Sequence, residues 1–309
     1  MNNLKASIDI GSNSVLLLIA DLSNGQLKDI SRKSEITSLG KELDKNLVFS
    51  DESMQATSIA LKKYVHECDQ FGIDRDAIII TATEASRVAQ NAKSYFEKVG
   101  EELGVKIHII SSEAEAYFST KGIIFNSKFD SDIITIMDVG GASTELIRVN
   151  TKTYQILDTI SMPIGSVRSS QWLEDQYFVQ NLQKIFVDFR SRIDSFQTKN
   201  LICVAGTMTS LANMHLERKD FVEDDVHGLI MKAEDLDNLF KHFSDFSPEQ
   251  FNSLFPFLGK RANSIRGGLH LVYHLVHRLF VKEITISTYG LRYGSLLEGR
   301  ILQDHLHGK

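Results

Sequence analysis

Apolar side chains gather in short continuous or alternating stretches at residues 5–10, 14–21, 77–81, 106–110, 132–138, 144–149, 201–205 and 283–287. Runs of this length bounded by Gly, Ser, Asn or Asp read as strands. Between most of them apolar positions recur every three or four residues, the spacing of a helix that lays one face on a sheet. Strands alternating with helices predict an α/β chain with mixed sheets. Only Pro163, Pro248 and Pro256 punctuate it, and no low-complexity tract separates one part from another, so the domains are expected to share a rigid hinge without a flexible linker.

A repeat gives this pattern its organisation. Ile8-Asp9-Ile10-Gly11-Ser12-Asn13-Ser14 and Met137-Asp138-Val139-Gly140-Gly141-Ala142-Ser143 carry Asp, Gly and Ser at the same places, 129 residues apart. Each copy reads as strand, tight turn, strand. The offset is one domain long, too long for a solenoid, and predicts duplicated halves that bring the two turns face to face. The boundary is expected between Lys121 and Asp130, where Asn126, Ser127, Lys128 and Asp130 precede a new strand. The resulting division is residues 1–124 and 125–295, with a C-terminal helix at about 296–309 packing back on the first domain.

Composition narrows the partners. A chain of 309 residues with 42% hydrophobic and 24% charged side chains can bury two cores. Its net charge of −6 argues against a general nucleic-acid or membrane-surface binder, which needs a basic excess. Any anionic ligand must therefore meet a local, N–H-rich site. Cys68 and Cys203 belong to no disulfide framework or zinc motif. The start MNNLKASIDIG lacks the marks of a signal peptide, and the expectation is a soluble cytoplasmic protein, with a homodimer left open.

A strand that ends in Asp and runs into Gly, Ser and Asn suits phosphate chemistry. Small residues let backbone N–H groups and hydroxyls approach an anion, while the carboxylate stays available for a metal. Gly11, Ser12, Asn13 and Ser14 form one such set; Gly140, Gly141, Ala142, Ser143 and Thr144 form the other. Mg²⁺ between them would be held through Asp138 and Asp9. A plain hairpin with a capping Asp explains either turn alone, but not their pairing. Neither a P-loop nor a dinucleotide-binding glycine motif is present.

Other candidates carry two readings. Thr83, Arg87 and Asn91 recur at four-residue spacing and would share a helical face, from which Arg87 could grip a phosphate or pair with Glu84 at the surface. Glu115 lies near a helix start just after a strand, where it could serve as a general base; Glu113 and Glu115 could equally be acids favoured at a helix N-terminus. Arg292 is a second basic contact or a structural residue. His270, His274 and His277 have a metal-like spacing, but Leu269, Val272 and Val276 supply the apolar face and leave the histidines on the solvated one.

Asp9-Ile10-Gly11-Ser12-Asn13-Ser14, Asp138 through Glu145 and Ala205-Gly206-Thr207 resemble the two phosphate motifs and the third glycine motif of the actin, sugar kinase and heat-shock ATPase superfamily. Residues 81–87, 110–116, 165–168, Ser287 and 290–294 narrow the resemblance to the exopolyphosphatase and guanosine pentaphosphate phosphohydrolase family, in its short two-domain form. The resemblance implies two ribonuclease H-like, actin-like ATPase domains with mixed β-sheets flanked by helices and an active site in the interdomain cleft. It implies Glu115 as the catalytic glutamate, Asp138 and Glu145 as Mg²⁺ carboxylates, Arg87 as a phosphate ligand, and Gly206 and Thr207 as phosphate contacts.

The chain also departs from that family. Leu16 stands where many members have a basic residue, Ala142 replaces a glycine, Thr288 an aspartate and Tyr293 a glutamate. Leu16 removes a charge that would contact a guanosine polyphosphate and tilts the expectation toward inorganic polyphosphate over guanosine pentaphosphate. Resemblance to the short form implies that the helical C-terminal region of long members is not expected here. A kinase of the same superfamily and a non-enzymatic alarmone-binding regulator remain as rival readings; the latter would not need Glu115.

Overall fold

The first apolar stretch forms Leu4–Ile10 (β1), turns tightly, and returns as Ser14–Asp21 (β2), antiparallel from Leu4 opposite Asp21 to Ile10 opposite Val15, in a computed structural model that describes residues 4–23, 27–125, 129, 131–153 and 155–308. Lys28–Ile36 (β3) extends this hairpin on one side. Ile78–Ala82 (β4) and Ile107–Ile109 (β5) join on the other as parallel strands, giving the order β3-β2-β1-β4-β5. Every residue of β4 is buried, as expected for a parallel strand covered on both faces. Helices Asp51–Gln70 and Ala92–Leu103 bring Leu61, Tyr64, Val65 and Phe96 onto Ile8, Ile10, Leu17 and Ile80 to make one core.

A second sheet contains Ile133–Val139 (β6), Thr144–Asn150 (β7), Ile156–Met162 (β8), Asn200–Val204 (β9), Ile230–Lys232 (β10) and Glu283–Ile286 (β11). Its order is β10-β11-β9-β6-β7-β8. Read from β8, the sequence β8-β7-β6-β9-β11 repeats the order and the antiparallel and parallel pairings of β3-β2-β1-β4-β5, with β10 added on the edge. Helices Ser166–Glu174, Ala205–His215 and Ala262–Arg278 pack a separate core that includes Met208, Leu211, Leu269 and Val272. The chain divides into Met1–Phe125 with Leu291–Lys309, and Asn126–Gly290. The expected boundary residues Asn126, Ser127, Lys128 and Asp130 lie outside the described ones. Among the described residues no helix is long and apolar enough to cross a membrane.

Four sequence expectations change. β3, β8 and β10 were not anticipated: β3 reads KDISRKSEI and is largely exposed, so it lacks the apolar run that marks a strand. The C-terminal helix is Leu291–Glu298, not about 296–309; Gly299 ends it at φ 76, the left-handed geometry of a helix stop. The helix from Glu84 ends at Val88, so Thr83, Arg87 and Asn91 share no continuous face; Asn91 instead exchanges hydrogen bonds with the Phe49 backbone. His270 and His274 do not sit on a solvated face. They are half-buried against Phe178 and Phe240, and His270 Nε2 lies 3.0 Å from the Ser244 carbonyl.

Candidate active site

Parallel strands that end together gather their following loops at one sheet edge, where α/β proteins bind ligands. In the first unit β1, β4 and β5 end together. The Thr83 N–H donates to the Ile10 carbonyl at 3.2 Å, and the Ile110 N–H to the Ala82 carbonyl at 3.0 Å. That edge carries the turn Gly11–Ser14, the segment Thr83–Arg87 and the start of helix Ser112–Ile124 with Glu115.

Ser111 caps this helix by accepting from the Ala114 N–H at 3.1 Å. One turn in, Glu115 is buried and its Oε2 accepts from Arg87 Nη1 at 2.8 Å. Arg87 also donates through Nη1 to the Ile110 carbonyl, and through Nε and Nη2 to Glu84 Oε2. Four of its five N–H donors are therefore engaged. With side-chain exposures of 6% for Arg87 and 11% for Glu115, this is no surface ion pair. Burial opposes charge on Arg87, but Glu115 and Glu84 outweigh it and hold the guanidinium above its usual pKa. Arg87 thus orients a buried carboxylate.

The second unit presents the equivalent edge at the ends of β6, β9 and β11. In its turn the Gly140 N–H donates to the Ser143 carbonyl at 3.0 Å, and in the first unit Gly11 makes the same bond to Ser14 at 2.9 Å. The sequence repeat is thus a repeat of turn geometry. Both turns are braced by the segment after the third strand of the meander. Gly40 N–H donates to the Ser12 carbonyl at 2.7 Å, while Ser166 N–H donates to Gly140 and Val167 N–H to Gly141, each at 2.9 Å. A Cβ on Gly165 would lie 2.5 Å from the Gly141 carbonyl carbon and 2.6 Å from the Gly140 oxygen, so only glycine lets this brace approach.

Asp138 pairs with Glu145 across β6 and β7, which puts both carboxylates on one face, and Ser161 Oγ donates to Glu145 Oε1 at 2.6 Å. Like charges directly opposite repel, an arrangement a divalent cation relieves. Among the described residues no group of three or more His, Cys, Asp or Glu is placed to hold a metal. Two carboxylates nonetheless fit Mg²⁺, which takes one or two from the protein and fills its shell with phosphate and water oxygens. Asp9, at the end of β1 in the first unit, is paired with Leu16 rather than a second carboxylate.

Gly206 and Thr207 open helix Ala205–His215 directly after β9, preceded by Ala205 at φ 70, a left-handed geometry rarely adopted by non-glycine residues. Arg261 lies against Gly206 so closely that a Cβ there would overlap its guanidinium. Among the described residues that guanidinium has no hydrogen-bond or ion-pair partner, and burial pulls its pKa down to about 10. Sequence reasoning missed Arg261 and Gly40 as site-building residues and marked Gly165 only as part of a family motif, since the contacts that matter are long-range. Two expected phosphate contacts sit elsewhere. Thr144 is fully buried and its hydroxyl donates to the Ile164 carbonyl at 2.6 Å, supporting the turn from inside. Arg292 reaches the Leu17 carbonyl in β2 at 3.4 Å and packs over the Tyr293 ring, as a link between helix and sheet.

The chain is 30% identical over 96% of its length to the bifunctional 3-dehydroquinate synthase/phosphatase of Fusobacterium nucleatum, of which it spans 47%. It is 26% identical to exopolyphosphatase 2 of Mycobacterium tuberculosis, covering 94% of this chain and 97% of that one. It is 25% identical to the guanosine-5'-triphosphate,3'-diphosphate pyrophosphatase of Pseudoalteromonas atlantica, covering 94% of this chain and 57% of the relative. Among solved structures, the Aquifex aeolicus PPX-GPPA enzyme superimposes with a TM-score of 0.76 at 27% identity over 95% of this chain and 98% of its own. A family description matching residues 18–301 states the relationship directly: the chain belongs to the Ppx/GppA phosphatase family.

Proposed function

We propose that this protein hydrolyses the terminal phosphoanhydride bond of inorganic polyphosphate and releases orthophosphate, with Mg²⁺ as cofactor. The observation that carries this reading is the buried Glu115 carboxylate, fixed by Arg87 at the sheet edge that also bears the Gly11–Ser14 turn. A carboxylate held in one orientation can align a water molecule and accept its proton as the oxygen attacks phosphorus; the shortened chain departs as the leaving group. Backbone N–H groups of the turns at Gly11–Ser14 and Gly140–Ser143, with Gly206, Thr207 and Arg261, would hold the phosphates. Asp138 and Glu145 would hold Mg²⁺, which neutralises charge on the phosphoryl oxygens when bound. The name of the mycobacterial relative supports the substrate class.

Leu16 supports polyphosphate over guanosine pentaphosphate, since it places an apolar side chain opposite Asp9 where a basic residue would contact a guanosine polyphosphate. The test is orthophosphate release from polyphosphate and from guanosine pentaphosphate at equal concentration, with Mg²⁺ and with excess chelator. The proposal expects release that is faster from polyphosphate and abolished by the chelator. Faster release from guanosine pentaphosphate would reverse the substrate assignment, and full activity in chelator would remove the metal.

A further inference from the structure

We propose that Arg168 is a positioning residue for phosphate binding, which aims and polarises the peptide N–H groups of the Gly140–Ser143 turn through the Ala142 carbonyl. It rests on the reading that this turn receives a phosphate.

Four successive carbonyls of the turn are bonded. Gly140 accepts from Ser166 N–H at 2.9 Å, Gly141 from Val167 and Arg168 N–H at 2.9 and 3.2 Å, and Ser143 from Gly140 N–H at 3.0 Å. Ala142 accepts from Arg168 Nη1 at 2.6 Å. In a trans peptide the C=O and the following N–H point in opposite directions, and the described chain contains no cis peptide. Tethering the carbonyls of Gly140, Gly141 and Ala142 toward helix Ser166–Glu174 therefore turns the N–H groups of Gly141, Ala142 and Ser143 to the other side. Three successive N–H groups on one side form the kind of concavity that binds anions. The first N–H groups of the helix are used on the turn itself, so the helix acts on an anion only through these peptides.

Arg168 separates the two turns. In the first unit the corresponding carbonyls, Ser12 and Asn13, are held by the backbone amides of Thr37, Ser38 and Gly40. The second turn has amides and, in addition, the guanidinium of Arg168, a residue that is 7% exposed. A charged donor makes a stronger bond than an amide, and a polarised carbonyl strengthens the N–H of the same peptide. Burial limits the screening of that charge by solvent. The Ser143 N–H is thus the donor Arg168 affects most.

The experiment compares the unsubstituted protein with Arg168→Lys and Arg168→Gln. Three readouts are KM and kcat for tripolyphosphate, equilibrium binding of tripolyphosphate with Mg²⁺, and the amide proton resonances of Gly141, Ala142 and Ser143. Glutamine keeps a neutral donor and lysine keeps the charge. Loss of a charge-assisted bond predicts that Arg168→Gln raises KM by about tenfold with a smaller change in kcat, and that Arg168→Lys recovers part of the loss. The Ser143 amide proton of Arg168→Gln should move upfield before any ligand is added. Parental KM and binding in Arg168→Gln, with an unmoved Ser143 resonance, would overturn the proposal while leaving the site reading intact. A parent that neither binds nor hydrolyses tripolyphosphate would instead overturn the site reading, and this inference with it. Should Arg168→Gln fold poorly, Arg168→Lys decides through the same resonance.

Discussion

Glu113 and Glu115 stand two residues apart and receive opposite treatment. Glu113 is exposed, and a hydrogen bond from its own backbone, followed by those from Ser111 and Ser112, keeps its carboxyl below the usual range. It is the acid a helix start favours. Glu115 is enclosed beside Arg87. The sequence alone could not separate them, because helix Ser112–Ile124 is buried at Ala114, Glu115, Ala116 and from Phe118 to Thr120, and such a helix has no amphipathic phase to read. Family resemblance selected Glu115, and the Arg87 contact gives a physical reason. Arg87→Met tests that reason. Removing the cation from a buried pair should destabilise the protein by about 3–5 kcal/mol. It should also lower kcat, because the Glu115 carboxylate loses the contact that orients it. An unchanged kcat with parental stability would return Arg87 to a direct phosphate role.

At the scale of elements, the strands that end in site residues were the legible ones. β1, β2, β4, β6, β7 and β9 are apolar because they are interior to their sheets, and the chemistry follows directly from their ends. Edge strands β3 and β8 lacked that signal, unlike the edge strand β5, and with them went the bracing roles of Gly40 and Gly165 at the two turns. Gly165→Ala measures the brace. Its added methyl must displace the Gly140–Gly141 peptide, and overpacking of this kind costs about 1–3 kcal/mol. The expected result is a higher KM for tripolyphosphate; a parental KM would show that the turn does not depend on this contact.

Helix Ala262–Arg278 gives a pH dependence. Burial is the largest influence on His270 and His274 and holds both below the usual 6.5. Arg266 adds to this for His270, while the Ser244 carbonyl and Asp245 oppose it; for His274 the neighbouring His270 and His277 add to it. The unfolded chain therefore binds protons first as pH falls, and stability declines from about 6.5 downward. Thermal midpoints measured from about pH 7.5 to about pH 5 should fall, and His270→Gln should flatten the slope. A midpoint independent of pH in that window would contradict the assignment.

At the scale of the whole molecule, one strand meander with a parallel extension occurs twice, and each copy ends its first strand in Asp, a hydrophobic residue and Gly before a turn closed by Ser. A repeat of seven residues was enough to foresee the duplication because Gly11 and Gly140 make the same turn-closing bond. Divergence between the copies was less visible. The position opposite the first-strand Asp is Leu16 in one and Glu145 in the other, so only the second copy presents paired carboxylates on adjacent strands. The first copy instead contributes Glu115. Glu115 lies in the first unit, and Asp138 and Glu145 lie in the second.

Single-turnover orthophosphate release from polyphosphate by Glu115→Gln, alongside equilibrium binding of the same substrate with Mg²⁺, tests the proposed role of Glu115 most directly. The substitution keeps size and hydrogen bonding and removes the charge. Loss of a general base predicts a rate lower by about 10²- to 10⁴-fold with binding retained or tightened, since a carboxylate repels a polyanion in the ground state. A Glu115→Gln protein that hydrolyses polyphosphate at the parental rate would contradict the account.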